Sequence, residues 1–444
     1  MEKLDFNLKR KIIGIFICTL LIAPIISFST QANELNDPFE KGWLEKIYGI
    51  NVLHLNGSFY EMGYQQGYLI KTEILENLRA FNYYYEKNIG VTYDDFLELW
   101  NQQKPFVSQN LIDFIQGTTD GAGLPFDSIA ITWVYDGGIY MHHCCGFTTW
   151  GSATKNNELF FARSLDWYID IQDPVTGKYV QENPVLIIAN PDYGYSFMYS
   201  TVAGYVIEDG FNENAIAVSN MWSINRDQTL NGTPLGIRLF ETLYKSSNAE
   251  EAIDHITSNE TFGYNFLVSD GNASQGYAVE TTANNTYYGK WDDSTESTKP
   301  FWKINNTVRR TNCFINTTLA SYQRNPYNPK SIMHIFKLKE GKPVWFFTWI
   351  HYKALSKGIE KFFGNIDLNK TIGILRGVYT LHYDWTWIFY NKLWGVTLNT
   401  LWQWAACPKT GDFLISYANP GKSAWECPIY YFNFFSLLNS SPLP

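Results

Sequence analysis

His142-His143-Cys144-Cys145-Gly146-Phe147-Thr148-Thr149-Trp150-Gly151-Ser152-Ala153-Thr154, answered by Leu159-Phe160-Phe161-Ala162-Arg163-Ser164-Leu165-Asp166-Trp167, is the densest run of unusual residues in the chain. The first part reads as a strand opened by adjacent thiols, Lys155-Asn156-Asn157 as a turn, and the second part as a returning strand. A hairpin sets its strands about 5 Å apart, so a thiol, the Arg163 guanidinium and the Asp166 carboxylate are expected to meet. On local chemistry alone a plainer explanation is the stronger one. A strand cysteine is usually a small buried hydrophobe, and an Arg-x-x-Asp pair a local ion pair. The surrounding sequence decides between the two.

Upstream, from about Asn51 to Gly138, the chain reads as helical. Ile70, Ile74, Leu78 and Phe81 repeat at helical spacing, and a second run follows through Phe96, Leu97, Trp100, Phe106, Leu111 and Phe114. Downstream the runs become short and β-type: Gly146 to Ser152, Leu159 to Ser164, Val185 to Ala189, Ser196 to Val202 and Ala215 to Asn220. A helical pair intervenes, with Leu235, Leu239 and Leu243 on one stripe and Ala252, Ile253 and Ile256 on the next, capped near Ser247 or Asn248. Strands resume at Tyr264 to Val268 and Gln275 to Thr281. The Trp-rich tract from about Tyr322 to Tyr390 reads as helix plus insertion, and Thr397 to Ala405 and Asp412 to Tyr417 close the chain as strands. With no repeat of constant period and no Gly/Ser- or Pro-rich linker, this order implies one α+β domain built in layers.

The 444 residues are 45% hydrophobic, 17% aromatic and 17% charged, too apolar for a disordered chain. The net charge of -9, with no Lys/Arg-rich run after the first dozen residues, argues against nucleic acid as a partner. Residues 1–32 read as a secretory signal peptide: Lys3, Lys9, Arg10 and Lys11, an apolar run from Ile12 to Ile26 containing Pro24, then a small-residue exit at Ala32. The run is shorter than the roughly 20 residues of a spanning helix. Cleavage and a secreted or extracellular product are therefore expected, with membrane anchoring by an uncleaved segment as the alternative. Sequons at Asn56, Asn231, Asn259, Asn272, Asn284, Asn305, Asn316, Asn369 and Asn439 suit a glycoprotein. Removing the signal takes Cys18 and leaves Cys144, Cys145, Cys313, Cys407 and Cys427, an odd number that implies a free thiol. Cys407 and Cys427, flanking a short strand-like segment, are the expected disulfide pair. No Cys-x-x-Cys or His-rich spacing exists, so no metal site is expected.

The hairpin resembles the nucleophile region of the acyl-coenzyme A:6-aminopenicillanic acid acyltransferase (isopenicillin N acyltransferase) family of N-terminal nucleophile hydrolases, related to the choloylglycine hydrolases. The matching elements are Cys144, Phe147, Gly151-Ser152-Ala153-Thr154, Leu159 to Ala162 and Arg163-Ser164-Leu165-Asp166-Trp167. Further blocks follow in the family's order across most of residues 50–420. Gly57-Ser58-Phe59-Tyr60-Glu61-Met62-Gly63-Tyr64-Gln65-Gln66-Gly67 resembles a pro-segment signature, and Phe211 to Asn220 a shared Asn-Glu strand. Arg310-Thr311-Asn312-Cys313-Phe314 resembles an Arg-Thr-Asn-His-Phe element, and Thr397 to Ala406 a closing strand.

The resemblance implies a four-layer αββα sandwich and a self-processing precursor. Cleavage at His143-Cys144 would divide residues 33–444, one domain, into a helical pro-segment of residues 33–143 and a catalytic chain of residues 144–444. Cys144 would attack an acyl carbonyl with its own freed α-amine as base, Arg163 would steady the thiolate or substrate, and Asp166 would hold the amine. Asn312, with Asn220 as a further partner, would hydrogen-bond the oxyanion. The chain departs from the pattern at Cys144-Cys145, where the family has Ser or Thr after the nucleophile, so Cys145 is the alternative nucleophile with Arg163 and Asp166 unchanged. Cys313 also stands where a His is expected.

The implied activity is cleavage or transfer of an acyl group from an amide C–N bond of a small-molecule substrate, with no cofactor. A phospholipase B-like or ceramidase-like lipid hydrolase is the alternative, with Trp345, Trp349, Trp385, Trp387, Trp394, Trp402 and Trp404 lining an acyl groove or making weak contact with a membrane surface. A non-enzymatic carbohydrate-binding protein is a more distant one. The alternation of Trp402 and Trp404 on a predicted strand favours packing.

Overall fold

The structure, a computed structural model, describes residues 41–138, 143–323, 344–380 and 399–442. The expected signal peptide and Trp385, Trp387 and Trp394 lie outside these residues, as do the side chains of His143 and Trp345.

Among the described residues the strands form two sheets. The larger has the order β1 (Trp43–Ile47), β2 (Ile50–Gly57), β5 (Pro184–Pro191), β6 (Phe197–Val202), β7 (Asp209–Asn212), β8 (Ile216–Trp222), β9 (Tyr264–Asp270), β10 (Gln275–Thr281) and β11 (Thr286–Gly289). The smaller has the order β12 (Thr307–Arg310), β3 (His143–Gly151), β4 (Asn157–Asp166), β13 (Thr400–Cys407), β14 (Asp412–Tyr417) and β15 (Tyr430–Asn433). Neighbours are antiparallel except β2 and β5, which are parallel.

The inner faces of the sheets pack against each other, β3 lying over β8, β9 and β10. Thr148 Oγ1 meets Ser269 Oγ at 2.8 Å, and the Trp404 ring stacks on Phe211. Helices cover both outer faces. α1 (Phe59–Leu69), α2 (Lys71–Tyr84), α3 (Tyr93–Gln103), α4 (Gln109–Ala122) and α5 (Phe126–Ala130) precede the first hairpin. Of these, α1 rests on β2 and β5, joined on the same side by α6 (Leu235–Lys245) and α7 (Ala249–Ile256) on β7 to β10. After α8 (Thr317–Tyr322), α9 (Val344–Phe362) rests on β3 and β12, and α10 (Leu368–Tyr379) on β4, β13 and β14. The layer order is αββα, as expected for the N-terminal nucleophile hydrolases.

Local sequence explains most of this. The stripes expected in α6 and α7 are buried, and Asn248 caps α7 by accepting from the Glu251 N–H. The Gly57–Gly67 block is a helix start and a packing surface. Ser58 and Glu61 form a capping box, while Gly63 and Gly67 press against Gly117 and Gly121 of α4. A Cβ at Gly117 would collide with the Tyr60 carbonyl oxygen, and one at Gly63 with that of Phe114. Trp402 and Trp404 are buried between the sheets, so this pair packs the core.

The helical reading fails at its beginning. Asn51 to Gly57 is strand, paired in parallel with Val185 to Pro191. It is buried on both faces, so it shows neither a period of two nor one of 3.6. The nominal pro-segment thus contributes two strands to the larger sheet. Among the described residues no helix is long and apolar enough to cross a membrane.

Gly117→Ala is expected to lower stability by about 1–3 kcal/mol through overpacking against backbone. Gly373→Ala, in α10 with open space where the Cβ would stand, should raise it by about 0.5–1 kcal/mol. Thermal and urea midpoints of the two variants check this contrast.

Candidate active site

β4 returns beside β3 with Cys144 opposite Leu165, Cys145 opposite Ser164 and Gly146 opposite Arg163. Side chains alternate along a strand, so the two cysteines point to opposite faces. Cys144 lies in the core between the sheets, and Cys145 in the core beneath α9 and α10. Arg163 and Asp166, three apart on β4, are separated by the same parity. The expected meeting of one thiol with both groups is therefore corrected: Arg163 joins Cys144, and the Asp166 carboxylate joins the side of Cys145. The expectation that Arg163 and Asp166 would serve Cys145 unchanged is corrected with it, because Arg163 is on the other face.

On the inner face Arg163 is fully buried. Its Nη2 lies 3.5 Å from Cys144 Sγ and 2.9 Å from Glu208 Oε2, its Nη1 2.7 Å from Asp209 Oδ2, and its Nε 3.2 Å from the Asn220 carbonyl oxygen. Asp209 also accepts from Ser200 Oγ and Trp402 Nε1, and Glu208 from the Tyr205 hydroxyl. Burial works against the Arg163 charge, but Cys144, Asp209 and Glu208 outweigh it and hold the guanidinium above its usual range. Burial pushes the Cys144 thiol up to about 12, with Arg163 opposing the rise and Glu208 and Asp166 adding to it.

The Cys144 backbone N–H donates to Asn312 Oδ1 at 2.6 Å, and Asn312 Nδ2 donates to the Trp222 carbonyl oxygen at 2.7 Å. Asn312 follows β12, where Arg310 is locked between Glu280 and Glu296, and Glu280 also accepts from the Ile315 and Asn316 N–H groups. Asn220 does not reach the thiol. Its Nδ2 donates to the Glu208 carbonyl oxygen and to Glu208 Oε2, so its amide is tied to the residue that also binds Arg163.

On the outer face the Tyr379 hydroxyl lies 2.7 Å from both Asp166 oxygens, 2.9 Å from Ser164 Oγ and 3.4 Å from Cys145 Sγ. Thr400 Oγ1 donates to Asp166 at 3.0 Å, and His351 Nδ1 lies 3.9 Å from it. Burial raises the Asp166 carboxyl to about 7, against the lowering effect of Tyr379, Thr400 and Ser164.

Glu208, Asp209, Tyr379, Thr400 and His351 were not found by sequence reasoning. The strand parity of Arg163 and Asp166 was legible in principle and would have split the cluster into two.

The expected Cys407–Cys427 bridge is corrected: both thiols are free. Cys407 is buried among the residues under α10, while Cys427 Sγ points to the Lys422 carbonyl oxygen at 4.0 Å. Among the described residues no group of His, Cys, Asp and Glu is placed to hold a metal.

Fold and site together define a class: an αββα sandwich with a strand-borne thiol held against an arginine between its sheets. No family model matches the chain. It is similar to protein dcd1B of Dictyostelium discoideum, 23% identical over 233 residues, 47% of this chain and 45% of that protein. Protein dcd1A of the same organism is 22% identical over 272 residues, 55% of this chain and 61% of that protein. The chain thus spans about half the length of the curated relatives it matches. Among solved structures, penicillin V acylase from Agrobacterium tumefaciens superimposes at a TM-score of 0.40 and 13% identity over 65% of this chain and 86% of that one. A mutant of the conjugated bile acid hydrolase from Clostridium perfringens gives 0.39 and 12% over 67% and 95%.

Arg163→Met would leave Glu208 and Asp209 buried without their cation, so a loss of about 3–5 kcal/mol is expected in urea unfolding. Asp166 generates a pH dependence of the opposite sense to an ordinary ion-paired carboxylate. Its folded value near 7 exceeds the ordinary 3.8, so between these the folded state holds a proton that the unfolded state has lost. The stability it contributes is full below the lower value and declines as pH rises through the upper one. Asp166→Asn should flatten that decline in urea midpoints taken across the window.

Proposed function

We propose that the chain is a self-processing cysteine amidohydrolase or acyltransferase, resembling the acyl-coenzyme A:6-aminopenicillanic acid acyltransferase family, that opens an amide C–N bond through a thioester on Cys144. One arrangement carries the reading. Both reacting atoms of a single residue have their own partner: the Cys144 nitrogen donates to Asn312 Oδ1 at 2.6 Å, and the Cys144 sulfur sits 3.5 Å from Arg163 Nη2.

In the intact chain the Cys144 nitrogen is a peptide nitrogen and cannot serve as a base. The thiol, raised to about 12 by burial, is protonated at neutral pH. Self-cleavage changes this. Sγ attacks the His143 carbonyl carbon, the bond from that carbon to the Cys144 nitrogen breaks, and the thiol proton passes to the nitrogen. Water then hydrolyses the thioester, giving a His143 carboxylate and a free thiol beside an α-amine. An α-amine near 7.7–8.0 and a thiol near 8.5 exchange a proton at little cost, so the amine can now deprotonate its own side chain.

In turnover the thiolate, with Arg163 alongside, attacks the substrate carbonyl. Asn312 holds the amine through Oδ1 and offers its second N–H to the oxyanion, a contribution worth roughly 2.7–4 kcal/mol per donor in comparable sites. The amine of the substrate leaves with the proton, and the acyl group resides on sulfur. Water completes hydrolysis, whereas a second amine completes transfer. A small-molecule amide is the substrate class. The sequence of residues 1–32 supports export of the precursor, and the sequons support glycosylation.

Denaturing electrophoresis with N-terminal sequencing tests the reading: two chains are expected, the larger beginning at Cys144. Cys144→Ala should remain a single chain and lose more than 99% of amide turnover, while Cys145→Ala still cleaves. An uncut wild-type chain that turns over amides would overturn the proposal, as would a Cys144→Ala variant that cuts. Comparing N-acyl amides with lysophospholipids separates amide from lipid-ester chemistry.

A further inference from the structure

We propose that Tyr379 is a positioning residue that decides which of the adjacent cysteines acts, by fixing the Asp166 carboxylate and retaining Cys145 as a thiol. This rests on the cysteine-nucleophile reading above and adds to it a residue from the opposite end of the chain.

The chemistry of one hydroxyl makes the argument. Tyr379, buried at the C-terminal end of α10, has a single O–H proton and two lone pairs. Its oxygen lies 2.7 Å from Asp166 Oδ1, 2.7 Å from Asp166 Oδ2 and 3.4 Å from Cys145 Sγ. Once ionised, above its folded value near 7, the carboxylate only accepts, so the tyrosine proton then goes to Asp166. The tyrosine lone pair then accepts from the Cys145 S–H. The order of donation is Cys145 to Tyr379 to Asp166. In that order Cys145 keeps its proton: burial and the Asp166 charge raise its thiol well above the ordinary range, and the opposing, lowering effect of a Tyr379 hydrogen bond to the sulfur is withheld while the tyrosine proton is committed to Asp166.

The same bonds place the carboxylate. Asp166 is the cross-strand partner of His143, the residue on the acyl side of the proposed cut, about 5 Å away backbone to backbone. Thr400 of β13 and Ser164 of β4 also donate to Asp166 Oδ1, and Gln403 of β13 donates to Ser164. The other titratable groups facing this carboxylate are His351 of α9 at 3.9 Å, Cys145 of β3 and, through the strand, Arg163 and Cys144. Of these donors, Tyr379 alone touches both carboxylate oxygens and the second thiol.

The full-length chain with Tyr379→Phe is the test, in two arms. In the first, formation of the chain beginning at Cys144 is followed from pH 5 to 9. Loss of a donor that favours the ionised Asp166 should slow cleavage at least tenfold at pH 7 and move its pH midpoint upward. Site-specific 3-fluorotyrosine at 379, which keeps the shape and strengthens the donor, should move the midpoint downward. A wild-type rate and midpoint in both would overturn the proposal, and a slowed rate with an unmoved midpoint would reduce Tyr379 to packing and overturn it equally. The second arm does not depend on self-cleavage. In a Cys144→Ala background, conversion of Cys145 to its methyl disulfide by methyl methanethiosulfonate, with methanesulfinate leaving, read by mass spectrometry, should rise at least fivefold on adding Tyr379→Phe. An unchanged rate there overturns the proposal even if the wild type never cuts. Failure of wild-type cutting with a positive second arm locates the error in the self-processing reading instead.

Discussion

The Arg163 guanidinium, sealed between two sheets and clasped by Glu208 and Asp209, is the constraint around which the site is built. A cation at that depth is tolerable only when its charge and its donors are matched. The carboxylates come from the end of β7 and the residue before it, so the larger sheet supplies the anions and the smaller one the cation. The ion cluster ties the sheets in one register. Trp402 adds a bond to the same Asp209, which makes an aromatic of β13 part of the polar clasp. What remains of the guanidinium's capacity is directed at the Cys144 sulfur.

A second buried arginine does for Asn312 what the first does for the thiol. Arg310, held by Glu280 and Glu296, fixes the end of β12, and Glu280 gathers two N–H groups from the loop beyond it. Asn312 is placed by the backbone between these anchors. The 17% aromatic content serves mainly to fill the layers around both clusters, as Phe211 against Trp404 and Phe81 against Trp167 illustrate.

Much of this was readable from the chain. Short β-type runs set off by turn residues located β3, β4, β5, β6, β8, β9, β10, β13 and β14, although β6, β9 and β13 are buried on both faces, and stripe spacing located α6 and α7. β2 escaped because a run buried on both faces carries no period of its own and reads together with the helical stripes that follow it, and β7 and β12 because four residues are too few to show a period. Cys144, Arg163 and Asn312 were legible as an ordered set of motifs. Glu208, Asp209 and Tyr379 were not, since their partners lie 45, 46 and 213 positions away and nothing local distinguishes them from ordinary surface acids or a helix-end tyrosine. The Glu208 partner of Asn220 escaped for a related reason: a side-chain amide reveals its partner only once the neighbouring strand is in place.

β2 has a wider meaning for a chain severed between His143 and Cys144. It sits inside the larger sheet, hydrogen-bonded to β1 on one side and to β5 on the other, so the two pieces would share one continuous ladder. Such a cut removes a peptide bond and no packing. The severed molecule would travel as one particle in any native separation, and only its return from the unfolded state would differ. Two strangers would have to find each other in solution, and recovery would depend on protein concentration where the intact precursor's would not.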